Sequence, residues 1–284
     1  MISFGTIGAG EAGTAVATSL YESNGIKSAY FDLQDIAPCP AQEKMATREA
    51  LAAQASMILS VVTADEALNA ARQMAPVLKS QHIYLDGNSV SPATKQQAAQ
   101  IITQTGAKYV DVAIMAPIHP RGHKTPLLIG GPDEADVRAD LEECGFDFKW
   151  QGPQVGDASM VKMLRSILIK GMESLICECV TAAQSQGLDT DILTSAGKTL
   201  GIDDMPALAN YVMERAATHG RRRAAELREV AKTLAELGLS NHMPTAIAKH
   251  QDMIADMALS DVFNGEIPRD REKLAQAMRD GQSG

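Results

Sequence analysis

Gly8-Ala9-Gly10-Glu11-Ala12-Gly13 is the stretch on which the fold turns. Its glycines follow the spacing G-x-G-x-x-G. Alone that spacing is weak; its surroundings make it specific. Residues 2–7, Ile-Ser-Phe-Gly-Thr-Ile, alternate as a strand does. Thr14 to Ser23 is Ala-rich and reads as a helix, closed by Asn24-Gly25. Ser28 to Phe31 is a second short strand, and Asp32 ends it 19 residues after Gly13. Strand, glycine turn, helix, strand and terminal acid are the parts of a dinucleotide-binding βαβ unit. Gly8 permits the tight turn, Gly10 lets the backbone approach a pyrophosphate, and Gly13 lets helix and strand pack closely. Ala9, Glu11 and Ala12 complete the expected cradle, in which N–H donors and the helix dipole face the phosphates. A carboxylate at Asp32 would accept ribose hydroxyls and repel a 2′-phosphate. No Arg follows; Leu33, Gln34 and Asp35 do. The expected cofactor is NAD, with NADP as the alternative.

Outward from this unit the alternation continues. Met57 to Val62 is almost unbroken in its apolar character, as a parallel strand buried on both faces would be. Glu66 to Leu78 reads as helix, His82 to Leu85 as strand, and Pro92 to Thr105 as a helix opened by Ser91. Lys108 to Ile114 and Pro126 to Ile129 are further strands. The pattern predicts an α/β fold, a Rossmann-like doubly wound parallel sheet. It changes near Gln151-Gly152-Pro153. Asp157 to Gln186 is one long helical stretch without Pro, and the rest reads helical with breaks at Gly187, Gly201, Pro206, Gly238 and Gly265. The expected domains are 1–152, binding the dinucleotide, and 153–284, an all-α substrate and dimerisation domain joined by a long helix. Residues 280–284 read as a frayed end.

Composition narrows the partners. The chain has 284 residues and a formal charge of −9, so the phosphate neutralisation that nucleic acid demands is not expected. No run is long and apolar enough for a membrane span. The first residues show neither a basic start nor an apolar leader core, and a cytoplasmic protein is expected. Cys39, Cys144, Cys177 and Cys179 are spaced for neither a zinc site nor a disulfide framework, so no metal is expected. Aromatic residues are only 4% of the chain, against 14 Met, which favours closely packed helices.

Further stretches carry chemistry. Leu85-Asp86-Gly87-Asn88-Ser89 follows a strand. Asp111 to Pro117 and Thr125 to Gly131 flank a basic loop, Ile118 to Lys124. Gly156 precedes Lys162 by six residues, and Arg165-Ser166 follows. With the glycine motif, and over most of the chain, these stretches resemble the β-hydroxyacid dehydrogenase superfamily, which includes 6-phosphogluconate and 3-hydroxyisobutyrate dehydrogenases. His219 to Leu227 resembles the helical domain of a poorly characterised, phosphogluconate-dehydrogenase-like subgroup.

The resemblance implies that Asn88 lies near the nicotinamide, with Val62 and Thr63 also on the cofactor, and that Lys162 is the general acid/base. Met115-Ala116-Pro117 stands where the superfamily carries a Ser-Gly-Gly that binds the acid. Arg165 and Ser166 replace two asparagines. A substrate different from those of the two named enzymes follows.

Lys162, Arg165, Ser166, Ile169 and Glu173 share one helix face by spacing, which suits a polar cleft between the domains. A Lys desolvated there would have its pKa lowered toward neutrality. Arg165 suits an anionic group, or an ion pair with Glu173. Lys170 would flank the same cleft. Met115, His119, Arg121, His123 and Lys124 frame it from the basic loop, because loops at strand C-termini hold ligands in such sheets. His219 and Arg222 are candidates to reach the cleft, within the chain or from a neighbouring subunit. Arg222 with Glu226 also reads as an intrahelical pair. The expected function is an NAD(P)-dependent oxidoreductase moving a hydride to or from a small hydroxy compound. The alternatives are an imine or ketone reductase and a non-catalytic dinucleotide sensor. A homodimer through the helical domain is expected.

Overall fold

The computed structural model describes residues 2–37, 39–132 and 134–282. The first elements are β1 (Phe4–Ile7), α1 (Glu11–Asn24), β2 (Ser28–Phe31), β3 (Gln42–Lys44), α2 (Arg48–Gln54), β4 (Met57–Ser60) and α3 (Ala67–Met74). Next come β5 (Ile83–Asp86), α4 (Pro92–Thr103), β6 (Lys108–Ile114), β7 (Leu127–Gly130), α5 (Ala135–Glu143) and β8 (Phe148–Gly152). The rest is helical: α6 (Asp157–Gln184), α7 (Asp189–Leu200), α8 (Met205–Glu236), α9 (His242–Asp256), α10 (Leu259–Val262) and α11 (Arg271–Gln282). The chain divides into two compact units between Met163 and Leu164.

The first unit holds a sheet ordered β3-β2-β1-β4-β5-β6-β7-β8. Its pairs are parallel except β6 with β7, where Asp111 faces Gly130 and Ile114 faces Leu127 in antiparallel register. The expected doubly wound parallel sheet is present, with this one antiparallel pair. The connection from β6 to β7 carries only a 3-10 turn, Gly122–Lys124. Without a crossover helix the chain turns back. Apolar side chains bury on both faces: Met57 and Leu59 on one, with Leu20 and Ile129, and Ile58 on the other, with Leu51, Tyr84 and Ile102. That two-sided burial explains the unbroken apolar run of β4.

Four elements escape a reading by pattern. β3 is three residues at the sheet edge, and α2 is barely two turns. α5 has a weak apolar face, and β8 alternates half-buried with exposed residues. The stretch 66–78 is not one helix. α3 stops at Met74 and a 3-10 turn, Ala75–Val77, follows around Pro76, which lacks the N–H an α-helix needs.

In the second unit Gly201, at φ +68°, closes α7, and Asp204 caps α8 by accepting the Ala207 N–H at 2.9 Å. Its core joins Ile176, Val180, Leu193, Met205, Met213 and Met278. Methionine fills the space that aromatic residues leave. α11 continues through Gln282, so residues 280–282 are helical; Ser283 and Gly284 lie outside the described residues. Among the described residues no helix is long and apolar enough to cross a membrane.

Candidate active site

The glycine motif forms the turn from β1 into α1. Gly8 has φ +88°, and a Cβ there would lie 2.6 Å from the Val61 carbonyl oxygen. A Cβ on Gly13 would meet the Gly8 carbonyl at 2.1 Å, whereas Gly10 has no heavy atom within 4 Å of that position. The open side of the loop is therefore at Gly10, the N-cap of α1, which has no side chain of its own to cap the helix. These features fit a pyrophosphate. Ala9 is buried, Ala12 half-buried and Glu11 exposed. Asp32 braces the loop: its Oδ2 accepts the Ala9 N–H at 2.7 Å and its Oδ1 the Gln34 N–H at 2.8 Å. A carboxylate has about four lone-pair sites, so Asp32 keeps acceptor capacity for ribose hydroxyls.

Across the carboxyl end of the sheet, Asn88 ties the ends of β4 and β5 together. Its Oδ1 accepts the Val62 N–H at 2.7 Å, and its Nδ2 donates to Ser60 Oγ at 3.0 Å and Asp86 Oδ1 at 2.8 Å. Val62 is half-buried and Thr63 exposed. The next residue, Ser89, meets Lys162: the ammonium Nζ donates to Ser89 Oγ at 2.7 Å. Lys162 is half-buried, one turn and a half into α6.

Beneath this pair lies an ionic network absent from the sequence reading. Lys95 of α4 is 0% exposed, as is Asp111, and Asp86 is 1% exposed. Lys95 Nζ lies 3.0 Å from Asp86 Oδ1 and 3.4 Å from Asp111 Oδ1, and also donates to the Asp86 carbonyl. Tyr109 donates its hydroxyl to Asp86 Oδ2 at 2.7 Å. Burial and the adjacent Asp86 charge push the Tyr109 phenol well above its usual range, so it stays a donor. A signal was available. Lys95 stands in register with Ala98, Ala99 and Ile102, the buried stripe of α4, and a cation there demands buried anions.

The basic loop divides. His119, Arg121 and Lys124 are exposed, and Met115 is half-buried with its N–H on the Pro126 carbonyl at 3.0 Å. His123, expected at the substrate, turns inward instead. It is buried, with Nδ1 2.7 Å from Ser19 Oγ and its ring edge-on to Phe146. Burial lowers its pKa, so the imidazole is a neutral packing group pinning the loop to α1.

In the second unit, Arg165 is exposed and Ser166 buried. Lys170 is buried and ion-paired with Glu226 of α8, and Glu173 pairs with Arg223. Lys170, expected to flank the cleft, thus joins α6 to α8, and Glu226 reaches α6. Of the arginine run, Arg223 is the buried member; Arg222 is exposed and His219 half-buried. The helical period, one residue off, decides which arginine points inward.

Residues 3–140 match the family model described as the NAD binding domain of 6-phosphogluconate dehydrogenase, and residues 183–254 match a domain of unknown function, DUF1932. An uncharacterized 28.5 kDa protein in the 7S RNA 5′ region of Methanothermus fervidus is 30% identical over 182 residues, 64% of this chain and 69% of that protein. The structure of a conserved hypothetical protein from Sinorhizobium meliloti 1021 is 28% identical, with a TM-score of 0.72 over 99% of this chain and 97% of that one. The conserved protein MTH1747, described as structurally similar to 3-hydroxyacid dehydrogenases, is 30% identical, with a TM-score of 0.67 over 90% of this chain and 97% of that one. A 3-hydroxyisobutyrate dehydrogenase from Salmonella typhimurium shares the fold at 15% identity, with a TM-score of 0.68 over 97% and 99% of the two chains. Glycine cradle, Asp32 brace and matching relatives agree: the chain belongs to the β-hydroxyacid dehydrogenase superfamily, with an NAD-binding domain of the 6-phosphogluconate dehydrogenase type and a DUF1932 region in its helical part.

Proposed function

We propose that the protein is an NAD(P)-dependent oxidoreductase of a small, polar hydroxy compound, with Lys162 as the proton carrier. The observation that carries this reading is the 2.7 Å contact of Lys162 Nζ with Ser89 Oγ, one residue from Asn88, beyond the carboxyl end of β5. The bound nicotinamide would supply the hydride acceptor or donor. Lys162 would take the substrate hydroxyl proton in oxidation and return it in reduction. Ser89, which accepts from Nζ, has its own hydroxyl proton to pass on. Asn88 orients this segment. Gly8 to Gly13 would hold the pyrophosphate, with Asp32 on the ribose. Arg121, exposed in the basic loop, suits an anionic substrate group. Incubation with NAD or NADP and a panel of hydroxy acids and alcohols, followed by cofactor absorbance, tests the reading. Turnover of ketone–amine mixtures only would favour an imine reductase, and no turnover with tight NADH binding would favour a sensor.

The Asp32 carboxylate favours NAD. Asp32→Ala is expected to weaken NAD binding about tenfold, some 1.4 kcal/mol, and NADP binding much less. Titration of both cofactors by intrinsic fluorescence checks it, and equal losses would remove Asp32 from cofactor choice.

We also propose a homodimer through the helical part, residues 153–284, leaving 1–152 as the cofactor domain. Leu164, Leu168, Met172 and Leu175 form an exposed stripe along α6 at helical spacing, with Leu168 at 72% exposure. Leu168→Glu is expected to halve the mass seen by light scattering. A wild-type monomer would sink the proposal. The four free thiols fit a cytoplasmic, reducing compartment.

A further inference from the structure

We propose that Lys95 is a positioning residue for Lys162. It holds two buried carboxylates, one fixing the Asn88–Ser89 segment and the other the start of α6. The inference rests on the reading of Lys162 as the proton carrier.

A lysine has three N–H donors; Lys95 donates to Asp86 O, Asp86 Oδ1 and, at 3.5 Å, the Val112 carbonyl, and its charge lies 3.4 Å from Asp111 Oδ1. From Asp86 one arm runs to the site. Its Oδ1 accepts the Asn88 backbone N–H at 3.0 Å and the Asn88 amide at 2.8 Å, which sets the backbone that presents Ser89. From Asp111 the other arm runs to α6. Asp111 Oδ2 accepts the Gly156 and Ser159 N–H groups, each at 3.1 Å, and Oδ1 accepts the Ser159 hydroxyl at 2.7 Å. The N-terminus of α6 is thus capped by a carboxylate 45 and 48 residues back along the chain, on β6. Lys162 stands three residues beyond Ser159. The arms meet again where Lys162 Nζ donates to Ser89 Oγ at 2.7 Å, closing a ring of contacts around Lys95.

The surroundings make room for this ring. Gly130 faces Asp111, and a Cβ there would lie 3.1 Å from Asp111 Oδ2 and 2.9 Å from the Ala158 nitrogen. Stability alone does not call for such a ring, because well-packed apolar residues commonly match or exceed a buried ion pair. What the charges add is direction. Each carboxylate is spent on backbone N–H groups that locate one partner of the Lys162–Ser89 pair.

The test needs the full chain and no substrate. Ser159→Ala deletes the hydroxyl on Asp111 and keeps the backbone N–H; Ser159→Thr restores a hydroxyl; Asp111→Asn removes the charge. Competitive acetic anhydride labelling, read by mass spectrometry over a pH series, gives the rate at Lys162 relative to exposed Lys149. The ratio is expected to rise about threefold in Ser159→Ala and about tenfold in Asp111→Asn, and to stay near wild type in Ser159→Thr, because small displacements of a held group change its reactivity steeply. NADH binding, measured by its fluorescence, should stay at the wild-type level in all three. Should Asp111→Asn fail to fold, the two Ser159 variants decide. An unchanged Lys162 ratio in Ser159→Ala with NADH still bound overturns the positioning role. A shifted ratio in a protein whose wild type binds no NADH upholds the positioning and removes the oxidoreductase reading.

Discussion

Lys162→Ala is expected to cut turnover of whatever substrate the wild-type protein accepts by about 10²–10⁴-fold, the usual range for losing a general acid or base. NADH affinity should remain within about twofold, roughly 0.4 kcal/mol. The separation follows from the geometry. The proposed cofactor cradle is Gly8 to Gly13 with Asp32, whereas Lys162 is the proposed proton carrier. Its contact is Ser89, on the segment that Asn88 anchors. Single-turnover kinetics with saturating cofactor reads the loss in the chemical step. Lys162→Arg keeps a cation but cannot deprotonate, so it should be nearly as slow as Ala. Undiminished turnover in either variant would end the assignment of Lys162 and move attention to Ser89.

Lys95→Met is expected to cost about 3–5 kcal/mol of stability, the range for removing one partner from a buried ionic group. Denaturant unfolding of the cofactor-free chain measures it. Methionine fills the volume of the lysine stem, so little of the loss comes from a cavity. The loss comes from Asp86 and Asp111, both buried, which would be left facing each other with neutral donors: Tyr109, the Asn88 amide, the Ser159 hydroxyl and main-chain N–H groups. Adding Asp111→Asn to Lys95→Met should recover about 1–2 kcal/mol, because one uncompensated charge disappears. If the single variant unfolds within about 1 kcal/mol of wild type, ordinary for a surface change, the network is not held by charge.

Much of the cofactor half was legible because its constraints are local. A strand that ends in G-x-G-x-x-G needs a turn at Gly8, open backbone at Gly10 and close approach at Gly13, and the structure has all three. The helix break at Gly201 was legible for the same reason, whereas Pro206, expected as a break, sits in the first turn of α8. β3 and β8 were not, because edge strands bury little and leave only a faint pattern. The direction of β7 was hidden too, since strand sense depends on what covers the connection.

By itself, then, the sequence determined a dinucleotide-binding α/β unit, a helical remainder, the acid at the end of β2 and the lysine six residues after Gly156. Those features rest on periodicity and short spacing. Tertiary structure alone decided which charged groups face one another. It put Lys95 between Asp86 and Asp111, turned His123 inward against Ser19, and gave Lys170 to Glu226 and Glu173 to Arg223. Their partners lie roughly 10 to 100 residues away along the chain. Periodicity names the face a side chain occupies; only packing names its neighbour there.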